Sequence, residues 1–276
     1  MPATGNKRYH PLTLSIRIFA DGFSFFVCDP QTSSLVRGEH FQMDGEPIAE
    51  RLQRELGKSD YNNPQIDQVY VLICTPSLHV PLEEFRRDEA AAFYAFALAE
   101  QDMSRLRVAY TIQPDLESVE IYAVERDVEE AILQFFPTAR FFASRALLME
   151  RLKRYDDTAD DHSSRLYACV TPEGLEVTAF RDGHLHLANS FETTVNADIE
   201  YYTLNVWQTL GLQAEQDHLT LIVETGDTQA QALLSDFSAY VRHVDLLPAA
   251  SLFSRVPLAS EAQVPVDLKA LLLNRL

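Results

Sequence analysis

Few residues in this chain stand at spacings that could do chemistry. His184-Leu185-His186 places two imidazoles on one face of a strand, a geometry able to hold a metal ion, but the sequence offers no third ligand nearby. They read as solvent-facing strand residues. Asp156, Asp157, Asp160, Asp161 and His162 crowd into one segment, which lacks the glycine and the closing glutamate of a calcium loop. It reads as a hydrated linker. Ser163, His162 and Asp161 are sequence neighbours, which is not how a nucleophilic triad is assembled. Cys74-Thr75-Pro76 closes an apolar run and could set a nucleophile at the carboxyl edge of a sheet, but no histidine partner is recognisable. The aromatic clusters Phe93-Tyr94-Phe96, Phe135-Phe136 and Phe141-Phe142 read as core. Residue by residue, the chain offers neither a metal centre nor a catalytic constellation.

What it does offer is a repeat. Three short apolar segments separated by turns, Leu12–Ile18, Phe23–Cys28 and Leu35–Met43, recur as Leu166–Val170, Leu175–Phe180 and His184–Thr194. Each triplet is followed by a helix-like stretch ending at a glycine, Gly57 or Gly211, and then by a strand-like run, Val69–Cys74 or Leu219–Glu224. Turn glycine to helix-ending glycine is 35 residues from Gly22 to Gly57 and 37 from Gly174 to Gly211. Three strands, helix, strand, written twice at near-constant spacing, predict a duplicated α/β domain. The expected domains are residues 1–155 and 165–276, joined by Asp156–Ser164. Residues 82–124, which have no counterpart of equal length in the second half, form an insertion in the first domain.

Within the first strand Leu12, Leu14, Ile16 and Ile18 alternate with Thr13, Ser15 and Arg17, the period of a strand buried on one face. Phe23–Cys28 is nearly all apolar, as in a strand covered on both faces. Residues 82–103 predict one long amphipathic helix with Phe85, Ala92, Phe96 and Ala99 on one face. Strands Arg107–Ile112 and Val119–Ala123 follow, joined at Pro114-Asp115, and could present an exposed edge. Val266–Leu276 carries Leu268, Leu271, Leu272 and Leu276 on one stripe, expected to pack on its own domain.

The chain has 276 residues and a formal net charge of −18, which disfavours nucleic acid and anionic membrane as partners. No run is long and apolar enough to span a membrane, and no segment has the pattern of a secretory signal. Cys28, Cys74 and Cys169 are odd in number and lie in strand-like runs, so they read as small buried hydrophobes in a reducing compartment. The expected location is cytoplasmic.

Two stretches carry a family resemblance. Val119–Tyr155 resembles the strand, helix, strand, helix passage that closes the first domain of the bacterial actin-like proteins of cell division, pilus assembly and type II secretion. Gly174–Phe191 resembles their second-domain hairpin, with Arg181-Asp182-Gly183 at the turn. The overall pattern is similar to that of a bacterial family of unknown function, DUF3822. The resemblance implies an actin-like ATPase (ribonuclease-H-like) fold, with duplicated βββαβα domains, mixed five-stranded sheets and a cleft between them.

In active members of that superfamily each domain offers a turn whose backbone amides hold nucleotide phosphates, while an aspartate binds magnesium or its waters. On that pattern the cleft candidates here are Asp21, Gly22, Thr171, Glu173, Gly174 and Gly226. The chain departs from it in three places. The strand-end aspartates are missing, Pro172 removes an amide donor, and the final loop keeps only Gly226 of a glycine pair, with Glu224 placed to repel phosphate. The resemblance then implies degenerate nucleotide loops, no cofactor, and a non-catalytic scaffold that binds a protein partner or itself, through residues 82–124. The alternative is a divergent ATPase or kinase using ATP and magnesium, with Asp21 or Glu173 replacing the missing aspartate. A ribonuclease-H-like nuclease is disfavoured by the acidic charge and the lack of strand-borne carboxylates.

Overall fold

Two mixed five-stranded sheets carry the molecule, one in each half of the chain. The computed structural model describes residues 11–99, 101–159 and 163–275. In the first half β1 (Leu12–Phe19), β2 (Gly22–Asp29) and β3 (Ser34–Gln42) form an antiparallel meander; α1 (Ile48–Leu56) then returns the chain to β4 (Ile66–Ile73), parallel to β1. A separate three-stranded sheet follows, made of β5 (Ser77–Pro81), β6 (Leu106–Gln113) and β7 (Ser118–Glu125), with α2 (Ala90–Ala97) between β5 and β6 in the chain. Then come α3 (Arg126–Phe135), β8 (Arg140–Ala143) and α4 (Ser144–Asp156).

The second half repeats the plan with β9 (Arg165–Thr171), β10 (Gly174–Arg181), β11 (His184–Phe191), α5 (Asn196–Thr209), β12 (His218–Val223), α6 (Asp227–Phe237) and β13 (His243–Leu246), and ends in α7 (Val266–Arg275). The sheet orders, β3-β2-β1-β4-β8 and β11-β10-β9-β12-β13, match strand for strand. The duplication expected from the spacing is the fold.

Strand alternation sorts the core into layers. Leu14, Ile16, Ile18, Phe23, Phe25, Val69 and Val71 point to one side of the first sheet and pack with Leu52 of α1 and Ile132 of α3. Leu166, Ala168, Val170, Leu219 and Leu221 do the same in the second, with Ile199 of α5 and Leu233 of α6. The opposite faces, carrying Phe26, Tyr70 and Leu72 in one half and Tyr167, Phe180 and Ile222 in the other, join a single core with α4 and α7. The inner faces of the sheets therefore meet across two helices.

That layering corrects four expectations. Thr13, Ser15 and Arg17 are as buried as the leucine and isoleucines between them, because their face of β1 looks onto the other half rather than onto water. The helix expected over 82–103 shrinks to α2, since Ser77–Pro81 becomes a strand and Leu82 turns back to bond Glu117. Ala90 and Tyr94 are its buried face, while Phe96 is 89% exposed. Asp156 is no hydrated linker residue: it closes α4, is buried, and accepts the Tyr167 hydroxyl at 2.8 Å. Asp160, Asp161 and His162 lie outside the described residues. The terminal helix packs beyond its own half: Leu268, Ala270, Leu271 and Leu272 of α7 and Leu147, Leu148 and Met149 of α4 belong to the same shared core.

Gly22 and Gly174 open the second strand of each half for one shared reason. A Cβ on Gly22 would stand 2.3 Å from the carbonyl oxygen of Phe41, and one on Gly174 2.5 Å from that of Phe191. In each half the end of the third strand closes on a glycine. Gly174 also has a φ of +143°, which an L side chain rarely adopts. Gly22→Ala and Gly174→Ala should each lower stability by about 1–3 kcal/mol, read as a shift in the urea unfolding midpoint.

Candidate functional site

Arg17 sits near the end of β1 with its side chain 6% exposed, facing the second half. Its Nε donates to Asp267 Oδ2 at 2.8 Å, and its Nη1 and Nη2 donate to Glu173 Oε1 and Oε2 at 2.5 and 3.2 Å. Glu173 belongs to the β9–β10 turn and Asp267 to the first turn of α7, so one guanidinium joins three separate segments. Asp267 Oδ2 also accepts Ser144 Oγ at 2.5 Å, with Cys74 Sγ at 3.8 Å. On the opposite side Glu224, just past β12, accepts the Val266 amide at 2.7 Å.

The register shows how the repeat builds this site. Phe19 pairs with Gly22 and Thr171 with Gly174, which makes Arg17 and Cys169 equivalent positions. The amide of Cys74 bonds Ile18 and that of Glu224 bonds Val170, so Cys74 and Glu224 are equivalent too. One copy holds an arginine and a cysteine where the other holds a cysteine and a glutamate. The start of α7 lies between them, offering a carboxylate to the arginine and an amide to the glutamate.

A second buried ion pair lies alongside. Arg145, at the start of α4, contacts Glu120 of β7 at 2.7 Å and the Ser77 carbonyl at 2.8 Å. His79 stands 3.7 Å from the same glutamate. Burial works most strongly against the charge of Glu120, but Arg145, His79 and Ser77 together outweigh it and hold the carboxyl below its ordinary range. Burial likewise opposes Arg17, yet the Asp267 and Glu173 carboxylates together keep its guanidinium firmly charged. Glu176 and Glu224 are different. Burial pushes each up to about 7, and Oε2 of Glu176 is enclosed without a hydrogen-bond partner.

Burial also raises the thiols. Cys28 is pushed up to about 12, and Cys74 and Cys169 go higher still despite Arg17 nearby. Cys74 is therefore a neutral thiol at physiological pH and a poor nucleophile. All three cysteines are free. His184 and His186 are exposed, with His184 3.6 Å from Glu117. Among the described residues no group of three or more His, Cys, Asp or Glu could hold a metal ion.

Of the six residues singled out from the sequence, only Glu173 reaches across to the other half. Asp21 is exposed at the β1–β2 turn, where its carboxylate accepts Gln42 Nε2 at 3.1 Å. Thr171 Oγ1 accepts the Glu173 amide at 3.3 Å and faces the Gly174 carbonyl at the same distance, which shapes the second turn. Gly22 and Gly174 serve the strand contacts already described. Gly226 is exposed with a φ of +127° and starts α6. Sequence reasoning missed Arg17, Ser144 and Asp267. The signals were an arginine between two isoleucines in a strand, and one aspartate opening a leucine-rich helix.

The model of the protein family of unknown function DUF3822 matches residues 6–244, and the chain belongs to that family. Among solved structures, a Bacteroides thetaiotaomicron VPI-5482 protein with an actin-like ATPase fold and unknown function is similar at 23% identity. The match covers 98% of this chain and 99% of that one, with a TM-score of 0.78. The PilM–PilN type IV pilus biogenesis complex is similar at 12% identity, covering 96% of this chain and 97% of that one, with a TM-score of 0.50. No curated protein matched. The fold is the actin-like ATPase fold.

Removing Arg17 would leave Asp267 buried without its cation. Arg17→Met should lower the unfolding free energy by about 3–5 kcal/mol. Glu173→Gln, at a carboxylate whose side chain is 27% exposed, should cost under about 1 kcal/mol. Urea unfolding of the two variants beside the parent checks the difference.

Proposed function

We propose that this DUF3822 member is a non-catalytic actin-like scaffold that acts by binding another protein or a second copy of itself, and that its nucleotide loops are degenerate. One observation carries the reading: Arg17, on the strand leading into the first turn, is ion-paired to Glu173 of the second. A phosphate chain held by the amides of both turns would have to displace that bridge and also the Asp267 carboxylate. The remaining carboxylates nearby, Glu224 and Glu176, would repel it further at the pH where they are ionised. The same reading treats 1–155 and 165–276 as two domains and 82–124 as an insertion in the first.

Partner binding draws its support from the insertion. Its β7 is the central strand of the small sheet, and Tyr122 and Val124 on it belong to the main core of the first half. The outward-facing part is α2, with Phe96 89% exposed. A large aromatic left in water on an otherwise apolar helix is the kind of feature protein interfaces use. In the similar PilM–PilN structure, a protein of this fold is found in a complex with a protein. Among the described residues no helix is long and apolar enough to cross a membrane.

Titration calorimetry with ATP and magnesium tests the catalytic half of the proposal. No magnesium-dependent heat is expected. Micromolar binding, about −8 kcal/mol, or an ATPase rate lost in Asp21→Ala, would establish the ATPase reading instead. Phe96→Ser tests the interaction half: stability should stay within about 0.5 kcal/mol of the parent. Concentration-dependent association in sedimentation, or affinity for an identified partner, should weaken. Unchanged association would remove α2 as the contact surface.

A further inference from the structure

We propose that α7 is a proton-sensitive latch between the two halves, held in place while Glu176 and Glu224 carry protons and loosened once both are ionised. The inference is independent of the partner-binding reading and of whether the turns take nucleotide.

The geometry is that of a wedge. The start of α7 is gripped from one side by Arg17 and Ser144 through Asp267, and from the other by Glu224 through the Val266 amide. Behind that grip Leu268, Ala270, Leu271 and Leu272 are fully buried in the core shared by both sheets and α4. Moving α7 therefore means separating inner faces that each half alone would leave open.

Charge around the wedge does not balance. Glu224 faces Asp267 and Lys269 of α7, Arg17 of β1 and Cys169 of β9. Glu176, on β10, faces Arg145 of α4, Glu120 of β7, Asp267, Arg17 and Cys169. Glu173 is taken up by Arg17, and Lys269 also faces Glu261. His79 stands on the far side of Glu120. The carboxylates Glu120, Glu173, Glu176, Glu224, Glu261 and Asp267 thus outnumber the cations Arg17, Arg145 and Lys269. Arg17 and Arg145 are committed to Asp267, Glu173 and Glu120. Glu176 and Glu224 form no ion pair among the described residues, and they are the two carboxyls that burial raises to about 7.

The sign follows from linkage. A carboxyl raised in the closed state and ordinary in the released state favours closure when protonated. That contribution is complete below the ordinary carboxyl range, falls as pH rises, and is gone above about 7. Each group should weaken closure by about tenfold between pH 6 and pH 8.

Hydrogen exchange read by mass spectrometry on the full chain, corrected for intrinsic rates, tests this. Protection of amides 266–273 should fall by about tenfold or more from pH 6 to pH 8, while β9 and β12 keep theirs. In the double variant Glu176→Gln, Glu224→Gln, which keeps shape without ionisation, the drop should vanish. Equal protection at both pH values, a drop that survives in the double variant, or parallel loss in β9 and β12 would each overturn the latch.

Discussion

The rest of the structure is arranged around one buried guanidinium. Arg17 is placed by a strand whose neighbouring side chains, Ile16 and Ile18, belong to an apolar core, so the strand period sends it to the inner face. There a charge is costly unless paired, and the cost is several kcal/mol per ion. The carboxylates that compensate it come from the β9–β10 turn and from α7. The first half therefore cannot bury its strand properly until the second half and the last helix are in place. Such a pair adds little net stability over an apolar substitute, but its bidentate geometry fixes where the turn and the helix must sit.

Duplication and divergence meet at the same spot. The two halves agree strand for strand, down to the glycines that receive a third-strand carbonyl. Their inner faces do not agree: Arg17 and Cys74 in one copy answer to Cys169 and Glu224 in the other. A symmetric pair of positive sites would repel across the cleft, and a symmetric pair of negative ones would too. The asymmetric set instead makes a socket with one acidic and one basic wall. A helix N-terminus carrying an aspartate fits it, because the free amide meets Glu224 and the carboxylate meets Arg17.

Much of this was legible in the chain. The strand triplets, the helix-ending glycines and the turn at Pro114-Asp115 were visible, because local chemistry dictates them and their spacing repeats. What was not legible depends on what lies across from a residue. Thr13, Ser15 and Arg17 have the alternation of a half-wet strand, and only the second half makes their face dry. Asp156 looked like linker because its partner, the Tyr167 hydroxyl, comes from the next domain-sized unit. The stretch at 82–103 has helical composition throughout, yet pairing of Ser77–Pro81 with β7 pulls its first part into a turn. Glu173 was found because it sits in a motif position. Arg17 and Asp267 were not, because their meaning arises only when two remote segments meet.

The inner faces explain why a helix of this chain fills the space between the sheets at all. Tyr70, Leu72, Phe142, Tyr167, Phe180 and Ile222 form large apolar surfaces that water would cover at a cost of about 25 cal/mol per Å². Direct contact of the two sheets would bring Arg17, Glu173, Glu176 and Glu224 together without enough counter-charge. Inserting α7 separates the apolar faces with leucines and supplies an amide and a carboxylate at the polar end. The remaining mismatch falls on Glu176 and Glu224, which burial pushes toward the protonated form despite Arg17, Arg145 and Lys269 nearby. Helix α7 thus meets apolar faces along its leucines and buried charge at its first turn, and the two ends of one helix answer two different demands of the same interior.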